Sequence, residues 1–106
     1  MAKFLVEANY TASGAKGLLK EGGTGRQAVV QDVCAQLGGK VEALYFAFGD
    51  HDLYSILEFP DNVSMAAVEL AVKASGAVDT RTVVLLTPEE LDDATRKPVE
   101  FRAPGS

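Results

Sequence analysis

Two alternating segments joined through Gly49-Asp50 constrain this 106-residue chain more than any other feature. Residues from about Lys40 to Phe48 and from His51 to Phe59 both carry the pattern of strands, and so short a link forces them into an antiparallel hairpin. Gly49 is expected to take the positive φ that tight turns often need. From Asp52 onward, one face of the second strand carries Asp52, Tyr54, Ile56 and Glu58, and the other Leu53, Ser55, Leu57 and Phe59. The second set reads as core. The first places two carboxylates and a phenol on a strand of otherwise interior composition, and function is expected there.

The segments on either side of the hairpin complete the order. Residues 3 to 10 alternate, with Phe4, Val6 and Ala8 opposite Leu5, Glu7 and Asn9, and predict a first strand. Thr11 opens a short helix through Lys20, weakened by about 1 kcal/mol at each of Gly14 and Gly17 relative to alanine. Gly22-Gly23-Thr24-Gly25 is expected to break it, with Thr24 capping a second helix from about Arg26. That helix sets Val29, Val30, Val33, Cys34 and Leu37 along one stripe and stops at Gly38-Gly39. After Phe59, Pro60-Asp61-Asn62 offers a helix start. The helix from about Val63 to Ala74 buries Met65, Val68, Ala71 and Val72, and Ser75-Gly76 closes it. A fourth strand, Val78 to Thr87, leads into an acidic helical turn at Pro88. Residues 1–93 thus form one domain, and 94–106, polar and containing two prolines, form an extended C-terminal arm.

The order β-α-β-β-α-β predicts an α+β protein of the ferredoxin-like type, with a four-stranded antiparallel sheet and helices on one face. The first and third strands are central, the fourth lies beside the first, and the second lies beside the third. Glu7, Asn9, Asp52, Tyr54 and Glu58 then share the sheet face away from the helices. Arg81 joins them only if the fourth strand has the right phase, which the doubly apolar stretch Val83 to Leu86 does not fix. A bare face that also holds Leu5, Phe46 and Ile56 needs a cover, most simply a second copy. Two such sheets, paired as a dimeric α+β barrel, enclose a cavity lined by the polar residues.

Charge and composition narrow the classes. A net charge of −5 lacks the basic stripe that nucleic-acid binding requires. No apolar run is long enough to cross a membrane, and the short stretch Phe4–Val6 ends at Glu7, unlike a secretory leader. The single Cys34 gives no sign of an oxidising compartment, so a cytoplasmic setting is expected. One histidine and one distant cysteine offer no metal-ligand spacing, and no cofactor is expected.

The chain resembles the GYD domain family, small bacterial proteins of about this length, over roughly residues 3 to 93. The likeness is carried by the strand before Thr11, by Gly38-Gly39, and by Phe48-Gly49-Asp50-His51-Asp52. Glu58-Phe59-Pro60-Asp61, Ser75-Gly76 and Leu86-Thr87-Pro88-Glu89-Glu90 complete it. The family signature has glycine, a spacer, then tyrosine and aspartate; here His51 stands in the tyrosine's place. The resemblance implies a ferredoxin-like fold related to dimeric α+β barrels. It brings no activity, since related barrels host oxygenases, isomerases, haem-processing enzymes and ligand sensors alike.

The candidate chemistry has a functional and a structural side. His51, the side chain best suited to proton transfer near neutral pH, is expected on the opposite phase to the polar face, reaching the cavity at its mouth. Glu58 or Asp52 would serve as base, and Arg81 as anchor for an anionic group. Glu7, Asn9, Tyr45 and Tyr54 would line the ligand. The expected function is binding of a small organic molecule between paired sheets, with metal-free and cofactor-free conversion left open. The alternative is a non-enzymatic ligand-sensing or assembly subunit, in which the same charges pair across the interface and fix its register.

Overall fold

The computed structural model of the chain describes residues 1–106. Its elements run β1 (Ala2–Tyr10), α1 (Ala12–Gln36), β2 (Lys40–Phe46), β3 (Leu53–Phe59), α2 (Asn62–Ala74), β4 (Val78–Leu85) and α3 (Pro88–Thr95). The strands form one antiparallel sheet in the order β2-β3-β1-β4, the ferredoxin-like arrangement.

Alternation along β1 and β3 sets the core. Phe4, Val6 and Ala8 of β1 and Leu53, Ser55, Leu57 and Phe59 of β3 are buried on the helix side. Cys34 of α1 and Met65 and Val68 of α2 close on Phe4, Val6, Leu57 and Phe59, with Val30, Val33 and Val72 packed around them. A smaller cluster of Ala8, Leu53 and Val78 continues the core toward the far end of the sheet. Ala71, expected in the core, is exposed.

Helix ends follow local chemistry. Thr11 caps α1 by accepting the Gly14 N–H, and Asp61 caps α2 by accepting the Ser64 N–H. Thr87 and Glu90 form a reciprocal capping box on α3. That box recruits Thr87, so β4 ends at Leu85 rather than at Thr87.

Three local expectations are corrected. The glycine cluster does break the helix, into two segments that meet across a kink within α1, but Thr24 does not cap the second of them. Gly22 alone leaves the helical region, at φ 77°, and the chain bends there while Gly23, Thr24 and Gly25 stay helical. The β2–β3 link spans residues 47–52, and Gly49 does not adopt positive φ, because six residues reverse the chain without a left-handed turn. Lastly, Phe46 belongs to the helix side: a Cβ on Gly23 would lie 3.2 Å from its ring. A bulge between Val41 and Ala43 shifts the phase of β2 and accounts for this.

Candidate functional site

The sheet face opposite the helices is built of registered rows across β2, β3, β1 and β4. The first is Lys40, Glu58, Lys3 and Leu85; the next is Ala43, Ile56, Leu5 and Val83; the third is Tyr45, Tyr54, Glu7 and Arg81. Asn9 faces Asp79 one step further on. Charge thus occupies both ends of the face and apolar side chains its middle.

His51 stands at the third row. Its Nε2 lies 2.6 Å from Oε2 of Glu7, and its Nδ1 lies 3.0 Å from Nδ2 of Asn9. The Asn9 carbonyl oxygen accepts the Asp52 N–H at 3.2 Å, which turns its amide NH₂ toward the imidazole. Nδ1 is therefore the acceptor, and Nε2 carries the proton donated to Glu7. The Tyr54 ring meets the imidazole edge-on, with centroids 5.6 Å apart and planes at 83°. The His51 and Glu7 side chains are only 16 % and 22 % exposed, so the pair is sheltered even in a single chain.

His51 thus lies on the polar face and not on the opposite phase. The expected alternation fails because His51 and Asp52 precede β3, in the loop, where strict period-two geometry does not hold. Asp52 turns away instead. Its Oδ2 accepts the Tyr10 N–H at 2.9 Å, and it lines a cleft with Tyr10, Leu18 and Phe46 beneath the first half of α1. Its own N–H donates to the Ala8 carbonyl at 2.9 Å, clamping the loop to the end of β1.

Glu58 is on the face but at the other end, about 13 Å along the strands from the Glu7 row. It sits between Lys3 and Lys40, 3.5 Å from each ammonium. Lys3 also donates to Glu42 at 2.8 Å, and that hydrogen bond, with the two carboxylates, holds its pKa above the ordinary lysine value. The Lys3 and Glu42 members of this quartet were missed in the sequence. Lys3 was legible from the β1 alternation, whereas Glu42 depends on the bulge. Arg81 takes the phase that puts it beside Glu7, is exposed, and forms no ion pair within the chain. Tyr45 lies beside Tyr54 and is largely exposed.

Of the expected set, the fold brings together Glu7, Asn9, His51, Tyr54, Tyr45 and Arg81, and separates Asp52 and Glu58 from them. No group of three His, Cys, Asp or Glu side chains is placed to hold a metal ion. No helix is long and apolar enough to cross a membrane. A family model for the GYD domain matches residues 4–95. No curated protein matches the chain.

Proposed function

The chain belongs to the GYD domain family, and from that premise we propose that it binds a small organic molecule on its open sheet face, enclosed by a second copy. The observation that carries this reading is the proton-ordered run Asn9–His51–Glu7, held beside two tyrosines and an unpaired arginine on a face no helix covers. Leu5, Ile56 and Val83 in the middle row supply the apolar area a second sheet would cover. In a two-fold pairing the same patch meets itself, so the free Arg81 and Asp79 of each copy supply charge for the other. A cytoplasmic setting suits the lone reduced Cys34.

Within such a cavity Glu7 is better placed than Asp52 or Glu58 to act as base. Asp52 is engaged with the Tyr10 backbone, and Glu58 is flanked by two lysines. Glu7 has one oxygen on His51, which can supply or withdraw a proton at Nε2 as charge moves on the ligand. Arg81 would hold an anionic group, and Tyr45 and Tyr54 would flank a ring.

One observation favours the non-enzymatic alternative: both ring nitrogens of His51 are already occupied. A sensor or assembly subunit needs no free base, and the same run would then simply stiffen the interface. The pocket reading and the assembly-subunit reading separate in one experiment. Wild type, Glu7→Gln and Arg81→Gln are sized by sedimentation velocity and titrated with a panel of small organic acids by calorimetry. The pocket reading expects variants that remain dimeric and lose binding. Dissociation into monomers would make these residues interface elements, and a monomeric wild type would remove the enclosed cavity altogether.

A further inference from the structure

The helix side of the sheet holds a second, separate opening. α1 leans on β2 and α2 on β4, and the gap between them is incompletely filled. Above the centre of the sheet lies a chamber of about 80 Å³, walled by side chains including Val6, Val30, Leu53, Met65 and Val68. A cleft of about 380 Å³ adjoins it between the helices. Tyr10 and Arg26 line both spaces and so stand where they join.

Three features of this opening lack a structural reason. The first is Ser55, 3 % exposed, which lines the apolar chamber while its hydroxyl enters none of the chain's side-chain hydrogen bonds. Buried hydroxyls are ordinarily satisfied. The second is Arg26. Its side chain is only 27 % exposed, yet its five-donor fork meets one carboxylate, that of Glu21, at a distant 3.9 Å, besides the neighbouring Tyr10 phenol. The third is Gly17, inside α1 and lining the cleft. A Cβ there would meet nothing within 4 Å and its φ is not positive, so neither packing nor backbone demands glycine. Gly14 differs, because a Cβ there would strike the Ala77 carbonyl.

The spacing of these groups defines an occupant. Ser55 pairs with Val6, and Tyr10 lies four residues further along β1, about 13 Å away along the sheet. We propose that the chamber and cleft bind a monocyclic aromatic carboxylate bearing a distal hydroxyl. The carboxylate would sit on the Arg26 guanidinium and Tyr10 hydroxyl, the ring in the roomier cleft against Val33, Val68, Val72 and Val78, which line both spaces, and only the far hydroxyl would enter the chamber to reach Ser55. A bidentate carboxylate at Arg26 replaces the long contact with Glu21 by two short charge-assisted bonds. Glu69, the other acid on the chamber wall, is already engaged with Thr80 and Lys73 and leaves Arg26 as the cation facing the ligand. The absent side chain at Gly17 keeps the entrance clear. This site lies on the opposite side of the sheet from the His51 face and does not depend on dimerisation.

The test is calorimetric titration of the full chain with 4-hydroxyphenylacetate, phenylacetate and tyramine. The hydroxylated acid is expected to bind most tightly, phenylacetate about tenfold more weakly, a difference of about 1.4 kcal/mol, and tyramine not measurably. Ser55→Ala should abolish the preference for the hydroxylated acid over phenylacetate while leaving phenylacetate binding unchanged, a pattern general destabilisation cannot produce. Arg26→Gln should erase binding of both acids. Gly17→Leu should block both without lowering the melting temperature, and Gly17→Ala should bind as wild type does. The proposal is overturned if none of the three probes binds wild type at millimolar concentration or if all bind alike. Undiminished binding by Gly17→Leu or Arg26→Gln would overturn it as well.

Discussion

Adjacent residues of β1 look out on unlike surroundings. Phe4, Val6 and Ala8 are buried beneath the helices, whereas Lys3, Leu5, Glu7 and Asn9 stand on a face that this chain leaves bare. On the covered side the chain is apolar almost throughout, and the buried Thr82 Oγ1 there has no hydrogen-bond partner. On the bare side charge is abundant, and most of it is paired: Lys3 with Glu42 and Glu58, Lys40 with Glu58, His51 with Glu7. The comparison teaches where each kind of free energy resides. Folding stability comes from burial on one face, while geometry fixed by hydrogen bonds is concentrated on the other.

The sharpest way to break this division is to damage the covered face. Phe59, fully buried against Phe4, should cost about 3–5 kcal/mol when changed to alanine, read as a lower urea midpoint. An equal loss from Ile56→Ala on the bare face would erase the distinction. Ile56→Lys should instead leave the monomer's stability within about 1 kcal/mol and abolish dimers in sedimentation velocity, with far-ultraviolet circular dichroism unchanged. A smaller effect, opposite in sign, is expected at Thr82. Its buried Oγ1 has no partner, so Thr82→Val should stabilise the chain by about 1 kcal/mol in thermal or chemical unfolding.

The smallest expected effect involves neither face, and it serves as a control. The Asp61 and Glu90 carboxylates accept capping N–H groups, chiefly backbone bonds from Ser64 and Thr87, which hold both pKa values below the ordinary 3.8 and 4.5. Because the folded chain binds these protons more weakly, the caps contribute fully above those ordinary values and lose their contribution as pH falls below them. Unfolding followed from pH 6 downward should therefore show a shallow acid loss, reduced in Asp61→Asn, whose amide still caps but does not titrate. An unchanged slope in that variant would assign the acid loss to other carboxylates.

The strands and their order were legible because β1 and β3 alternate without interruption and because helix stops such as Gly38 are chemically explicit. Gly38 takes φ 73°, a conformation that favours glycine strongly enough to be read from sequence. The site was legible only where its residues lie within strands: Glu7, Asn9 and Tyr54 fell on the expected face. His51 and Asp52 did not, because a loop has no period, and their orientations depend on bonds to Asn9 and Tyr10 formed by folding. Arg81 was undetermined and Phe46 was placed on the wrong face, for different reasons. The β4 sequence is apolar on both phases near Val83, and the β2 bulge is set by pairing with β3 rather than by local composition. The helix-side opening was hidden more deeply, since unfilled space arises from how two helices lean and leaves no pattern in one chain.

The central position of β1 also bears on how the protein is made. Its two sheet neighbours, β3 and β4, lie at residues 53–59 and 78–85, so a growing chain displays β1 long before either partner exists. At about 5–20 residues per second, that wait lasts several seconds on the ribosome. During it, a strand with two open edges is an invitation to neighbouring nascent chains. Lys3 and Glu7, which later pair on the finished face, interrupt the apolar run of that waiting strand and discourage association until its own partners emerge.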